Sequence, residues 1–295
     1  MLNVYKQITQ NKLKSTLVII FFIAFVILIG YSLSYLFQLG TGYFVFAIIF
    51  SLFSSFASYF WGDKIVLKLN GANPASRQKY FNFYTVTENL SMANKTPMPR
   101  IYVINSPSMN AFATGRDPQH SVICATTGLL EKLNRTELEG VIGHELSHVK
   151  NYDIRLMMIV SMLIGTLSIL INMAYRTSMF GNKNDDNKNG LTSIFAILGL
   201  ILIIFAPLIA QLIQFAISRQ REFLADASSV KLTRQPQGLI DALTKISQDP
   251  NIMSTASTAT ASLYISNPFK NNKLASLFST HPPVQDRIRA LQQML

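Results

Sequence analysis

His144-Glu145-Leu146-Ser147-His148 is an H-E-x-x-H pentapeptide, and the residues before it carry the marks of a helix. Asn134-Arg135-Thr136-Glu137 has the form of a capping box, with Asn134 as N-cap and Glu137 three residues in. Leu138, Val141, Ile142 and Leu146 then recur at helical spacing. On a helix, side chains four residues apart share one face, so both imidazoles can reach a single ion. Neutral imidazole is an ordinary zinc ligand, and zinc lowers the pKa of a bound water to about 7. Glu145, beside the first histidine, is placed to act as general base, accepting that water's proton and passing it to a leaving amine. The plainer reading is a helix with two surface histidines and a glutamate. Against it, half of the 4 histidines in the chain fall within this pentapeptide.

A catalytic zinc needs a third protein ligand and an open position. The search for that ligand depends on how the chain is laid out. Of the 295 residues, 49% are hydrophobic and only 14% charged, and the mean hydropathy is +0.27. Globular domains carry about 25% charged residues, so this composition points to lipid. No charged residue occurs between Lys14 and Asp63, a run long enough for two membrane helices of roughly 20 residues, expected at 15–37 and 43–60 with a break at Leu39–Gly42. Two more uncharged runs follow, Leu156–Tyr175 and Leu191–Ser218, the second interrupted by Pro207. They read as two further spans, with a pair of buried core helices as the alternative.

The expected organisation is thus two spans in 1–62, a first catalytic half in 63–155, spans three and four in 156–218, and a second catalytic half in 219–295. All 26 Lys and Arg except Arg176, Lys183 and Lys188 then lie on one side of the membrane. That asymmetry predicts a multi-pass protein with both termini and the polar lobes in the cytoplasm. It also accounts for the net charge of +11 without nucleic acid, for which no recognised motif is present. The expected fold is mainly α with a small β-sheet: about four transmembrane helices and a cytoplasmic zincin-like domain.

Within the first half, Pro74–Asn94 reads as a helix, and 100–105 and 121–126 as strands. Cys124, the single cysteine, lies among apolar residues and reads as an inert buried thiol. The motif helix is expected to continue through Asp153 and Arg155 into the third span. Glu222 emerges directly after the fourth span, so two spans leave the histidine pair and return to it, which makes Glu222 the candidate third ligand. Asp226, one turn later on the same face, is a candidate for orienting a ligand imidazole. A solvated juxtamembrane stretch is the other reading of 219–226.

Asn110–Gly115, Thr127–Leu130, Glu139–His148, Arg221–Asp226 and Ser279–Pro283 together resemble the HtpX-like membrane zinc metalloproteases and, more distantly, the CAAX prenyl endopeptidases of the same peptidase family. The resemblance covers nearly the whole chain, with no departure at a metal or catalytic position. It implies one zinc ion per chain, held by His144, His148 and Glu222, with Glu145 catalytic. It places Asn110 and Ala111 near the cleft, where an extended substrate can pair with an edge strand. It implies a bacterial inner-membrane enzyme acting on protein or peptide substrates, above all misfolded membrane proteins, in quality control and stress response. His281, in His281-Pro282-Pro283, has two readings: a group near the oxyanion together with Arg287, or a structural turn histidine. A zinc-holding scaffold or sensor that no longer cuts is the alternative function, and retention of Glu145 counts against it.

Overall fold

The computed structural model describes residues 4–37, 41–180, 219–253, 260–266, 268 and 282–295. Two long helices open the chain, α1 (Val4–Phe37) and α2 (Thr41–Leu69). A polar lobe follows: β1 (Ala72–Pro74), α3 (Phe81–Asn94), β2 (Arg100–Ile104), β3 (Ala111–Gly115), β4 (Ser121–Thr126), α4 (Thr127–Lys132) and the motif helix α5 (Arg135–Lys150). Beyond it lie α6 (Asp153–Phe180), α7 (Arg219–Thr233), α8 (Pro236–Gln248) and α9 (Val284–Gln292). The described residues are therefore mainly helical, with one small mixed sheet. The expected fourth span, 191–218, lies outside them. Among them, one stretch, Ile8–Leu28, is long and apolar enough to cross a membrane by length and composition.

The sheet runs β1-β2-β4-β3, with β2 and β4 parallel and the outer pairs antiparallel. Alternation along its strands sends side chains to two different cores. Ile104, Phe112, Val122 and Cys124 face a core shared with Val18 and Phe22 of α1, Val66 of α2 and Leu156 and Ile159 of α6. Ile101, Val103, Ala111, Ala113, Ile123 and Ala125 face the other, built with Phe83 and Val86 of α3, Val141 and Ile142 of α5 and Leu239 and Leu243 of α8. The sheet is thus the middle layer between the long apolar helices and the helices of the polar lobe. This is why β4 is buried along its whole length. Cys124 is fully buried there, and burial pushes its thiol pKa up.

Three expectations shift. The helix foreseen from Pro74 starts at Phe81, because Pro74 pairs with Tyr102 and Ala75 still donates to Ile101, holding this segment to the sheet. The motif helix does not run on into the next one. Its last residue is Lys150, Tyr152 turns the chain with φ 61, and α6 begins anew at Asp153. The first helices also extend beyond their apolar runs, since lysines near a helix end do not stop it: α1 includes Lys6, Lys12 and Lys14 toward its N-terminus, and α2 includes Lys64 and Lys68 toward its C-terminus.

Candidate metal centre

Both arms of the capping box close α5: Asn134 Oδ1 accepts from the Glu137 amide at 2.9 Å, and Glu137 Oε2 accepts from the Asn134 amide at 2.8 Å. The helix then buries its centre from Gly140 to Val149. Two glycines allow other helices to approach it. A Cβ on Gly140 would lie 2.8 Å from the Leu239 backbone of α8, and one on Gly143 would lie 2.7 Å from Ser229 Oγ of α7. Ser229 Oγ also donates to the Gly140 carbonyl at 2.6 Å. This close packing sets α7, with Glu222 and Asp226, directly against the histidines.

His144 and His148 lie edge to face, their Nε2 atoms 3.1 Å apart. Glu222 Oε2 is 3.6 Å from His144 Nε2, and Oε1 is 3.6 Å from His148 Nε2. The three residues, all buried, present ligand atoms within 4.8 Å of one another. The opposite nitrogens are held by carboxylates. His144 Nδ1 is 2.9 Å from Asp226 Oδ1, and His148 Nδ1 is 3.0 Å from Asp153 Oδ2. A carboxylate accepts, so each Nδ1 carries a proton, and in the neutral imidazole the lone pair is left on Nε2. Two lone pairs facing each other at 3.1 Å repel unless a proton or a cation lies between them.

The donor set fits a divalent metal ion. Tetrahedral zinc with bonds of 2.0–2.1 Å separates its ligand atoms by about 3.3 Å, close to the spacings here. Charge agrees. When both imidazoles are neutral, the four carboxylates of Glu145, Asp153, Glu222 and Asp226 still outnumber the three cations beside them, Arg221, Arg287 and Lys14. Buried carboxylates in such excess need a cation.

Arg287 of α9 is fully buried and grips Asp226 with two nitrogens, Nε to Oδ2 at 2.8 Å and Nη2 to Oδ1 at 2.6 Å. Its Nη1 points toward Glu222 Oε2, 3.8 Å away. Burial alone would raise the Asp226 pKa, but Arg287 outweighs it, and the His144 hydrogen bond adds to the effect, holding the carboxyl at about 2. His148 shows the converse. Burial would lower its pKa, while the Asp153 hydrogen bond and the charges of Glu222, Asp153 and Glu145 raise it to about 9. Glu145 is buried beside them.

The structure brings His144, Glu145, His148, Glu222 and Asp226 together. Arg287, foreseen near an oxyanion, has its fork directed at Asp226. His281 lies outside the described residues. Asn110 and Ala111 stand at the start of the outer strand β3, where residues 265 and 266 of the chain meet them. Ile265 donates to the Ala111 carbonyl at 2.9 Å, and Asn110 Nδ2 donates to the Ser266 carbonyl at 2.8 Å. Sequence reasoning missed Asp153 as the partner of His148. Its signal was a lone carboxylate just past the motif helix, ahead of an apolar run.

A family model for peptidase family M48 matches residues 81–295. The chain belongs to this family. Among its relatives, a protease HtpX homolog from Streptococcus uberis is 42% identical, covering 98% of this chain and 99% of the relative. One from Lactobacillus acidophilus is 44% identical with the same coverage, and one from Dictyoglomus turgidum is 42% identical, covering 98% of this chain and 94% of the relative. A crystal structure of Ste24p from S. mikatae is similar at 20% identity and a TM-score of 0.48, covering 97% of this chain and 67% of that one. The His144–His148–Glu222 cluster falls inside the M48 match.

Proposed function

We propose that this M48 chain is a zinc-dependent endopeptidase of the bacterial inner membrane, cutting misfolded or damaged membrane proteins on the cytoplasmic side. The observation that carries the reading is the convergence of His144 Nε2, His148 Nε2 and Glu222 beside Glu145, in a chain whose relatives are named as HtpX proteases. His144, His148 and Glu222 would hold the ion, and zinc bound there would act as a Lewis acid, bringing the pKa of water toward about 7. Asp226 and Asp153 keep the Nδ1 protons in place, so that both Nε2 lone pairs face the ion site. Glu145 accepts the proton of the attacking water and delivers it to the leaving amine nitrogen.

In this reading the catalytic lobes are 63–155 and 219–295, and the segments 1–62 and 156–218 contribute two spans each. The stretch Ile8–Leu28, long and apolar enough to cross a membrane, and the one-sided distribution of Lys and Arg support that arrangement. The test is degradation of an unfolded protein by the purified, detergent-solubilised chain with added zinc, beside Glu145→Gln and a chelated sample. Cleavage lost in both controls is the expected result. A folded, zinc-loaded wild type that cuts neither the substrate nor itself would favour a zinc-holding scaffold instead.

A further inference from the structure

Asn11 belongs to the apolar stretch of α1, yet its side chain is buried and directed into the polar lobe. Its Nδ2 donates to the Asn151 carbonyl at 2.8 Å and to Asp153 Oδ1 at 2.7 Å. These acceptors form the break between α5 and α6, and Asp153 Oδ2 takes the Nδ1 proton of His148. Arg221, immediately before Glu222, donates to the same Oδ1 at 3.3 Å. Lys14, one turn beyond Asn11 on the same face, lies in Coulombic reach of Asp153 and Arg221.

We infer that Asn11 is a positioning residue of the metal centre, acting through Asp153 on His148, so that the first membrane helix is a working part of the site as well as an anchor. The inference rests on the zinc reading above. A carboxylate that holds an imidazole can rotate about its own axis, and donors on its far oxygen stop that rotation. Without the Asn11 amide, two buried acceptors at the break lose a donor, and the direction of His148 Nε2 is less well determined.

The experiment uses the full-length chain in detergent and reads zinc affinity by competition with a chromophoric chelator, together with the d–d spectrum of the cobalt-substituted protein. Asn11→Leu keeps the shape and apolar packing but cannot donate; Asn11→Ala is the second variant, and exposed Leu17→Ala is the control on the same helix. Both Asn11 variants are expected to bind zinc roughly 10- to 100-fold more weakly and to shift the cobalt spectrum, with Leu17→Ala unchanged. In an Asp153→Ala background, Asn11→Leu should weaken zinc no further, which a purely structural role would not produce. A folded Asn11→Leu chain with wild-type zinc affinity overturns the inference, as do additive losses in the double variant or failure of both Asn11 variants to fold. A wild type that binds no zinc, or a His148→Ala chain that binds it as well as wild type, overturns the metal-centre reading itself.

Discussion

At the level of single residues, Glu145 has a role that the ligands do not share. Glu145→Gln preserves shape and removes the base, so turnover should fall by about 10²–10⁴-fold while one zinc per chain is retained. Zinc lost along with activity would instead make Glu145 a structural member of the site. Asp226→Ala leaves Arg287 buried without its partner, a situation that costs roughly 3–5 kcal/mol. A large drop in thermal stability is expected, whereas an unchanged melting temperature would mean that the pair carries little of the fold. The surrounding carboxylates by themselves raise the His148 pKa to about 9, above its ordinary value of about 6.5. Its contribution to metal-free stability is therefore full below about pH 6.5 and lost as the pH rises through about 9. Zinc works in the opposite sense, since it must displace that proton. Uptake near pH 7 should release a proton, and acidification should release the metal. Calorimetry in buffers of different ionisation enthalpy measures the proton directly, and a release of zero would refute the argument.

At the level of elements, the site depends on how closely α7 and α8 approach α5. Gly140→Ala places a methyl group against the Leu239 backbone, which cannot step aside as a flexible side chain would. Overpacking of this kind costs roughly 1–3 kcal/mol, read as a lower melting temperature with zinc occupancy reduced as α8 and α7 are pushed away. Asn134→Ala removes the cap of the motif helix and should cost about 1 kcal/mol with little effect on catalysis, because the histidines lie more than two turns away. The capping box, the strands over 100–104 and 121–126 and the motif helix were legible in the sequence, since each rests on local spacing. The late start of α3 and the break at Tyr152 were not. Both follow from pairing with the sheet and from a left-handed turn that local pattern does not encode.

At the level of the whole molecule, the sheet lies between the long apolar helices and the helices of the polar lobe, so the proposed membrane segment and the proposed site share one structure. The charge distribution makes a topological prediction. Reporters fused at the C-terminus and within the 63–155 lobe should score as cytoplasmic, and one inserted in 176–190 should score on the opposite side. A reporter at 176–190 that stays cytoplasmic would mean that 156–218 does not cross, and would remove two of the four proposed spans.

The sequence by itself determined what rests on short-range spacing and composition: the paired histidines on one helical face, the base beside them, the apolar runs and the charge asymmetry. Glu222 and Asp226 stand beside the histidines, as the sequence reading expected. Only the tertiary structure decided which carboxylate serves which imidazole, that Arg287 grips Asp226, that 264–266 lies along the start of β3, and that Asn11 reaches Asp153. Those contacts join residues as much as 156 positions apart, and no local pattern carries them. They exist because the packing glycines let α7 and α8 close on α5, and because buried carboxylates must find partners among the groups this brings together.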